Sequence, residues 1–140
     1  MKDFFRLQIN AESKNEAFAR AVVAQFSLAL SPTLEEIGDL KTATSEAVTN
    51  AVVHAYPNEE GIIEIYGEIH DYSLTVTVQD FGCGIADLSA ALEPFYTTKP
   101  DEERSGMGFT IIQTFTDEMH VESELNKGTS VHFTKVFKKC

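Results

Sequence analysis

Two neighbouring segments with alternating apolar residues constrain the fold of this chain most strongly. They run over Ile62–His70 and Ser73–Asp80, so that only Asp71 and Tyr72 separate them. Every second side chain of a strand faces the same side, and a two-residue connection is typical of an antiparallel hairpin. A hairpin with one apolar face needs further strands and a covering layer to be stable in water. The pair therefore predicts a sheet with helices packed on one face.

Strand and helix patterns elsewhere complete this architecture. Alternating apolar residues predict further strands, and capped segments with helical spacing predict helices. The predicted strands are 5–9, 119–124 and 129–136, and the predicted helices are 13–30, 33 to about 54 and about 107–116, with a short helical piece after residue 84. The 140 residues fit one domain spanning 1–140. The predicted fold class is α/β, more narrowly an α+β two-layer sandwich with a mixed, mostly antiparallel sheet and helices on one face.

Capping boxes predict where the first two helices begin. Ser13 with Glu16, and Thr33 with Glu36, each have the spacing at which the two side chains satisfy each other's backbone N–H groups. The apolar face of the first helix is predicted to contain Phe18, Val22, Phe26 and Leu30.

Charge and hydropathy exclude several classes of function. The net charge of −11 argues against nucleic acid as the main partner. No apolar run approaches the roughly 20 residues that cross a bilayer, and the opening residues lack the pattern of a signal peptide. The two cysteines have no metal-ligand spacing. A cytoplasmic protein without a nucleic-acid or membrane partner is therefore expected.

Two polar residues are predicted to face the core side of the sheet. Asp80 has the same strand parity as Val76 and Val78, and Thr129 shares a face with Val131. An inward carboxylate without partners is costly, so either the strand frays and Asp80 caps a turn, or a ligand supplies the partner. Two such groups at neighbouring strand ends favour a ligand between the sheet and the helices.

Two pairs of glycines indicate an anion near that position. Gly82 and Gly84 directly follow Asp80, and Gly106 and Gly108 lie at the start of a predicted helix. Glycine permits close approach of the backbone, and a helix N-terminus presents free N–H groups to an anion. The predicted helix 33 to about 54 carries two polar residues one turn apart, Glu46 and Asn50. They form either a solvated helix face or part of the same site.

Together these motifs resemble the N, G1 and G2 boxes of the GHKL ATPase/kinase superfamily, which has the Bergerat ATP-binding fold. The motifs are Glu46-x-x-x-Asn50, Asp80-x-Gly82-x-Gly84 and Gly106-x-Gly108. More narrowly, the stretches SEAVTNAVVHAY and FYTTKPDEERSGMGFTI resemble the sporulation anti-sigma F factors, which are serine kinases of this superfamily.

The resemblance implies a role for each motif. Glu46 would be the general base that accepts the proton of a serine hydroxyl, and Asn50 would be the Mg²⁺ ligand. Asp80 would accept the exocyclic amine of adenine, with Thr129 supporting the same ring edge. Gly82 and Gly84 belong to the same nucleotide pocket.

The resemblance further implies a phosphate site and a lid. The backbone groups around Ser105, Gly106, Met107 and Gly108 would hold the phosphates, and residues 95–105 would form the ATP lid. Arg104 would contact the γ-phosphate, although an exposed pairing with a neighbouring glutamate is an equally simple interpretation. The remaining lid candidates are Thr97, Thr98 and Lys99.

For function, the resemblance implies an anti-sigma factor that dimerises and binds sigma F in its ATP state. It would also phosphorylate a serine of the anti-anti-sigma factor, and ADP with the unmodified antagonist would form a dead-end complex. Arg20 resembles the residue that contacts both protein partners, or it is a solvated helix arginine. The alternatives are the anti-sigma kinase of the general stress pathway, an ATP-binding fragment of a histidine kinase, and a non-enzymatic binding module.

Overall fold

The computed structural model describes residues 3–56, 60–92 and 108–138. The strands are β1 (Asp3–Asn10), β2 (Ile62–His70), β3 (Ser73–Asp80), β4 (Glu118–Glu124) and β5 (Gly128–Val136). The helices are α1 (Asn15–Ser27), α2 (Leu34–Asn50), α3 (Leu88–Ala91) and α4 (Gly108–Phe115), with a 3₁₀ turn at Leu28–Leu30 and a π turn at Ala51–Ala55. No helix within these ranges is long and apolar enough to cross a membrane.

The five strands form one sheet in the order β1-β2-β3-β5-β4. All four pairings between the described strands are antiparallel, so the parallel pair implied by a mixed sheet is not found among them. The β2–β3 hairpin places Asp80 opposite Ile63, and the β3–β5 pairing places Asp80 opposite Thr129. The predicted fold class is confirmed.

The core lies between the sheet and the layer formed by α1, α2 and α4. Strands β2, β3 and β5 bury Ile65, Val76 and Phe133, and the helical layer buries Leu40 and Ile112. Removing a side chain of this kind down to alanine costs about 2–5 kcal/mol, because a cavity remains. This core fixes the sheet against α2, whose last turn carries Asn50.

Helix α1 differs from its prediction in both its cap and its buried face. The Ser13 side chain makes no capping bond; α1 begins at Asn15, and Glu16 pairs with Arg20 at 3.1 Å. The buried face contains Ala19, Val23, Ala24 and Ser27, whereas Phe18 is 52% exposed. Small residues face α2 because they permit close packing of the two helices. The larger Phe26 lies at the rim, where its ring packs edge-on against Phe5 with centroids 4.8 Å apart.

Helix α2 begins as predicted and ends in an unusual turn. The Thr33 hydroxyl accepts from the Glu36 N–H at 3.0 Å, and the Glu36 carboxylate accepts from the Thr33 N–H at 2.9 Å, so the second capping box is confirmed. At the other end the helix widens into the π turn Ala51–Ala55, a feature often found at functional sites. This turn brings the end of the helix against the loop that follows β3.

Candidate functional site

Asp80 is buried at the end of the central strand β3 and faces the helices. It is 6% exposed, and its Oδ1 accepts from the N–H groups of Gly82 and Thr129, both at 3.1 Å. Burial raises the pKa of this carboxyl above its ordinary value, and the two N–H groups oppose the shift. Within the described residues both hydrogen bonds go to Oδ1. The second oxygen, Oδ2, is therefore the one that a ligand can use.

The loop after Asp80 is held in place by the end of the helical segment. The Cys83 N–H donates to the carbonyl oxygen of Ala55 at 3.1 Å, and a Cβ added to Gly82 would collide with that same oxygen. Glycine is required at this position because the π turn approaches so closely. The Tyr56 hydroxyl accepts from the Phe81 N–H at 2.7 Å and donates to the carbonyl oxygen of Ile62 at 2.7 Å. Through these two hydrogen bonds Tyr56 connects the residue after β3, next to Asp80, to the start of β2.

Thr129 lies directly across from Asp80 and is 8% exposed. Its hydroxyl lies 2.8 Å from the hydroxyl of Ser123 on β4. Ser123 also accepts from the Ile85 N–H at 2.8 Å, one residue after Gly84, which adopts a positive φ of 75°. A hydroxyl and a carboxylate thus lie side by side, at the start of β5 and the end of β3.

The polar stripe of α2 meets the beginning of α4. A Cβ added to Gly108 would lie 2.7 Å from both Oδ1 and Nδ2 of Asn50, so the side chain of Asn50 contacts the first residue of α4. Glu46 lies one turn earlier on α2, and both residues are half-buried. The structure therefore brings Asn50 of the N box into contact with Gly108 of the G2 box. The two residues are almost sixty positions apart in the sequence.

The arrangement has two chemically different ends. At one end Asp80 offers an acceptor and Thr129 a hydroxyl, on the same strands as the buried residues Val78 and Val131. At the other end Asn50 lies against Gly108 at the N-terminus of α4, where helix N–H groups favour negative charge, and Glu46 lies one helical turn from Asn50. A ligand with a hydrogen-bonding ring at one end and an anionic group at the other fits this distribution.

Other predicted residues lie at the margin of the site or outside the described residues. Arg20 is half-exposed on α1, paired with Glu16, and its Nη1 lies 3.4 Å from the hydroxyl of Ser45, the neighbour of Glu46. The remaining predicted residues lie outside the described ranges and stay predictions: Thr97, Thr98, Lys99, Arg104, Ser105, Gly106 and Met107.

Sequence reasoning missed two residues of the site. Ser123 shares the inward face of β4 with Val121, so the parity argument that identified Asp80 and Thr129 would have found it too. Tyr56 gave no such signal, because the partners of its hydroxyl, at Ile62 and Phe81, become neighbours only in the folded chain.

The fold and the site define a nucleotide-binding domain of the ATPase and kinase type. The family described as "Histidine kinase-like ATPase domain" matches residues 9–135, and the chain belongs to this family. Within it, the chain is similar to proteins named anti-sigma F factor. It is 53% identical to the one from Caldanaerobacter subterraneus subsp. tengcongensis, over 95% of this chain and 93% of the relative. It is 50% identical to the one from Clostridium acetobutylicum, over 98% and 96%. The predicted resemblance to this group is confirmed.

Solved structures show the same fold at low sequence identity. Full-length ShkA in complex with AMPPNP matches with a TM-score of 0.63 and 18% identity, covering 91% of this chain and 30% of that one. The nucleotide-free catalytic domain of the histidine kinase ThkA matches with a TM-score of 0.60 and 16% identity, covering 96% of each chain. These two structures share the fold of this chain, a five-stranded sheet with helices packed on one face.

Proposed function

We propose that this chain is an anti-sigma factor that binds sigma F in its ATP state and is also an ATP-dependent serine kinase that inactivates an anti-anti-sigma factor. The observation that supports the kinase half is the placement of Asp80 and Thr129 at one end of the site and of Asn50, one helical turn from Glu46, against Gly108 at the other. The names of the relatives, which are about 50% identical over nearly the full length, support the anti-sigma half.

The Asp80 end is proposed to select adenine. Oδ2 of the buried carboxylate would accept from the exocyclic amine, and the Thr129 hydroxyl would contact the adjacent ring nitrogen. Guanine carries an oxygen acceptor where adenine carries the amine, so a carboxylate would repel it. A site built around a buried polar group rejects such an analogue strongly, because its own polar group is left unpaired.

The α4 end is proposed to bind the triphosphate with Mg²⁺. The amide oxygen of Asn50 is a hard donor suited to this ion, and it lies against the helix start at Gly108. Mg²⁺ would neutralise charge on the phosphates. Segment 95–105, with Arg104 as the γ-phosphate contact and Thr97, Thr98 and Lys99 as further contacts, remains the proposed lid. Ser105, Gly106 and Met107 complete the proposed phosphate loop.

Glu46 is proposed to be the general base. The substrate serine oxygen would attack the γ-phosphorus, its proton would pass to the Glu46 carboxylate, and the bond from phosphorus to the β,γ-bridging oxygen would break to release ADP. Glu46 is suited to this role because it lies one helical turn from Asn50 on the same face of α2.

Arg20 is proposed to contact the protein partners, sigma F and the anti-anti-sigma factor, on a homodimer of this chain. Its guanidinium is half-exposed on α1, and its contact with Ser45 places it one residue from the proposed base. Partner docking would thus occur next to the phosphoryl-transfer site.

The test is incubation with labelled ATP, Mg²⁺ and candidate anti-anti-sigma proteins, followed by phosphoamino-acid analysis. Phosphoserine on the antagonist is expected from the unmodified chain, and Glu46→Gln should lower the rate by a factor of roughly 10² to 10⁴ while nucleotide affinity is retained. Glu35→Gln, an exposed glutamate at the other end of α2, is the matched control and should keep the rate. Near-normal transfer by Glu46→Gln would refute the base assignment, and phosphohistidine in place of phosphoserine would refute the serine kinase.

A further inference from the structure

Lys135 is a charged residue in an apolar row of β5. It shares the inward face of the strand with Val131 and Phe133, and its side chain is only 14% exposed. A lysine in such a position needs partners for its ammonium group, because burying an unpaired charge is costly. Thr129 begins the same row at the adenine end of the site, so Lys135 lies towards the other end of β5. The roles proposed above do not use this residue.

The ammonium group of Lys135 joins α2 to the C-terminal end of α4. Nζ donates to Oδ2 of Asp39 on α2 at 3.0 Å, and to the carbonyl oxygen of Phe115, the last residue of α4, at 3.3 Å. The carbonyl groups in the last turn of a helix have no partner within the helix, and a cation is favourable beside them. Asp39, Lys135 and Phe115 are called the Lys135 bridge below.

The Lys135 bridge and the contact between Asn50 and Gly108 lie at opposite ends of α4. Asn50 ends α2 and contacts Gly108, the first residue of α4, whereas Asp39 lies about three helical turns earlier on α2. The two helices are therefore antiparallel and are connected near both ends of α4. Apolar packing between helices is not directional. The two hydrogen bonds of one ammonium group are directional, so they fix the position of α4 along α2.

The other bonds at this end of α4 go to the sheet. The Asp117 N–H donates to the carbonyl oxygen of Thr134 at 2.8 Å, and the Asp117 carboxylate accepts from the Val136 N–H at 2.7 Å. These bonds hold the residues after α4 against β5, and the Lys135 bridge extends the connection to α2. Because the eight residues of α4 span about 12 Å, the Lys135 ammonium cannot itself contact a phosphate at the start of the helix.

We infer that Lys135 is a positioning residue for the phosphate end of the site. The Lys135 bridge sets α4 along α2 so that the first N–H groups of α4 and the amide oxygen of Asn50 face the same ligand. This inference rests on the proposed adenine-nucleotide function. Without the bridge, the start of α4 can shift relative to Asn50, while Asp80 and Thr129 keep their places on the strands. Binding of the phosphates should then weaken more than binding of the base.

The experiment compares the affinities of the full chain and its variants, with Mg²⁺ present, for ATP and for adenosine, which has no phosphate. Lys135→Met has a similar length and no charge, and it should lower the ratio of ATP affinity to adenosine affinity by a factor of about 10, equivalent to one hydrogen bond to a charged group. Lys135→Arg keeps a cation that can donate to both oxygens and should restore most of the ratio. Asp39→Asn keeps an acceptor without the charge and should lower the ratio by a factor of about 3.

Two control variants separate positioning from charge and from stability. Lys127→Met removes the same charge from an exposed lysine in the turn between β4 and β5. Ile65→Val removes one methylene group from a buried residue of β2 and lowers stability without touching α4. Both variants should keep the ratio of the unmodified chain.

The outcomes that refute the inference differ from the one that refutes the proposed function. Equal losses of ATP and adenosine affinity in Lys135→Met, or no loss of either, would show that Lys135 does not position the phosphate end. A loss of the ratio in Lys127→Met as large as in Lys135→Met would attribute the effect to net charge and would also refute the inference. If Lys135→Met does not fold, an unchanged ratio in Asp39→Asn refutes it instead. An unmodified chain that binds neither ATP nor adenosine would refute the proposed function.

Discussion

Among residues 3–56, 60–92 and 108–138, two carboxylates are buried, at opposite ends of the sheet, and they differ in how completely the chain satisfies them. Glu36 is 7% exposed and Asp80 is 6% exposed, and each accepts two backbone N–H groups. Glu36 uses both of its oxygens, one for the N–H of Thr33 and one for the N–H of Lys138, each at 2.9 Å. Asp80 uses only Oδ1 for its two bonds.

The two pKa shifts have opposite directions because backbone hydrogen bonds are the largest influence at Glu36, whereas burial is the largest influence at Asp80. The backbone N–H groups of Thr33 and Lys138, and more weakly the charge of Lys135, hold the pKa of Glu36 below its ordinary value. At Asp80 burial is the largest influence, so the pKa of that carboxyl is raised despite the two N–H groups. A carboxylate that the chain satisfies stabilises the fold, whereas one that the chain satisfies only in part is suited to bind a ligand.

The largest expected difference is in stability. Glu36→Ala should lower the free energy of unfolding by about 2–4 kcal/mol, because it removes half of a capping box and leaves the N–H of Lys138 without its acceptor. Asp80→Asn should leave the free energy of unfolding equal or higher, since an amide oxygen still accepts from Gly82 and Thr129 without the cost of a buried charge. Urea denaturation of both variants measures this.

The matched control for Glu36→Ala is Glu36→Gln, which keeps one acceptor and should lose roughly half as much free energy. Nucleotide affinity should be unchanged in both Glu36 variants. A comparable loss of stability in Asp80→Asn and Glu36→Ala would contradict the distinction between the two carboxylates.

A smaller effect should appear in the pH dependence of stability. For Glu36, whose pKa is lowered on folding, the stabilisation is complete above the ordinary pKa and is lost as pH falls through the lowered value. For Asp80, whose pKa is raised, the contribution is complete below the ordinary pKa and is lost as pH rises through the raised value. The unfolding free energy of the unmodified chain relative to Glu36→Gln should therefore decline on acidification, and that relative to Asp80→Asn should increase. Slopes of the same sign would contradict the opposite shifts.

Much of the fold was predictable, because its signals are local. Two-residue periodicity identified the β2–β3 hairpin, and the Thr33–Glu36 spacing identified the start of α2. The Ser13–Glu16 box failed although its spacing is equally good, because Glu16 pairs with Arg20 and the Asn15 side chain donates to the carbonyl oxygen of Asn10 at 2.9 Å. The partners of Glu16 and Asn15 are set by the folded chain, so the spacing of Ser13 and Glu16 alone could not predict them.

A residue of the site could be predicted from the sequence where its type is unusual for the strand or helix that contains it. Asp80 and Thr129 are polar residues in apolar rows, and Asn50 is a poor helix former within a helix. Tyr56 breaks no pattern, and the meeting of Asn50 with Gly108 depends on the packing of α2 against α4. These long-range contacts required the structure.

The most direct test of the central claim is whether Asp80 binds the amine of adenine. The affinities of the unmodified chain and of Asp80→Asn are measured by calorimetry for ATP and for purine riboside triphosphate, which lacks the amine. We predict that loss of the amine weakens binding to the unmodified chain by a factor of about 30–100, the worth of a hydrogen bond to a buried charged group, and weakens binding to Asp80→Asn by less than about 3-fold. Equal losses in the two proteins would show that Asp80 does not contact the amine and would contradict the proposed nucleotide site.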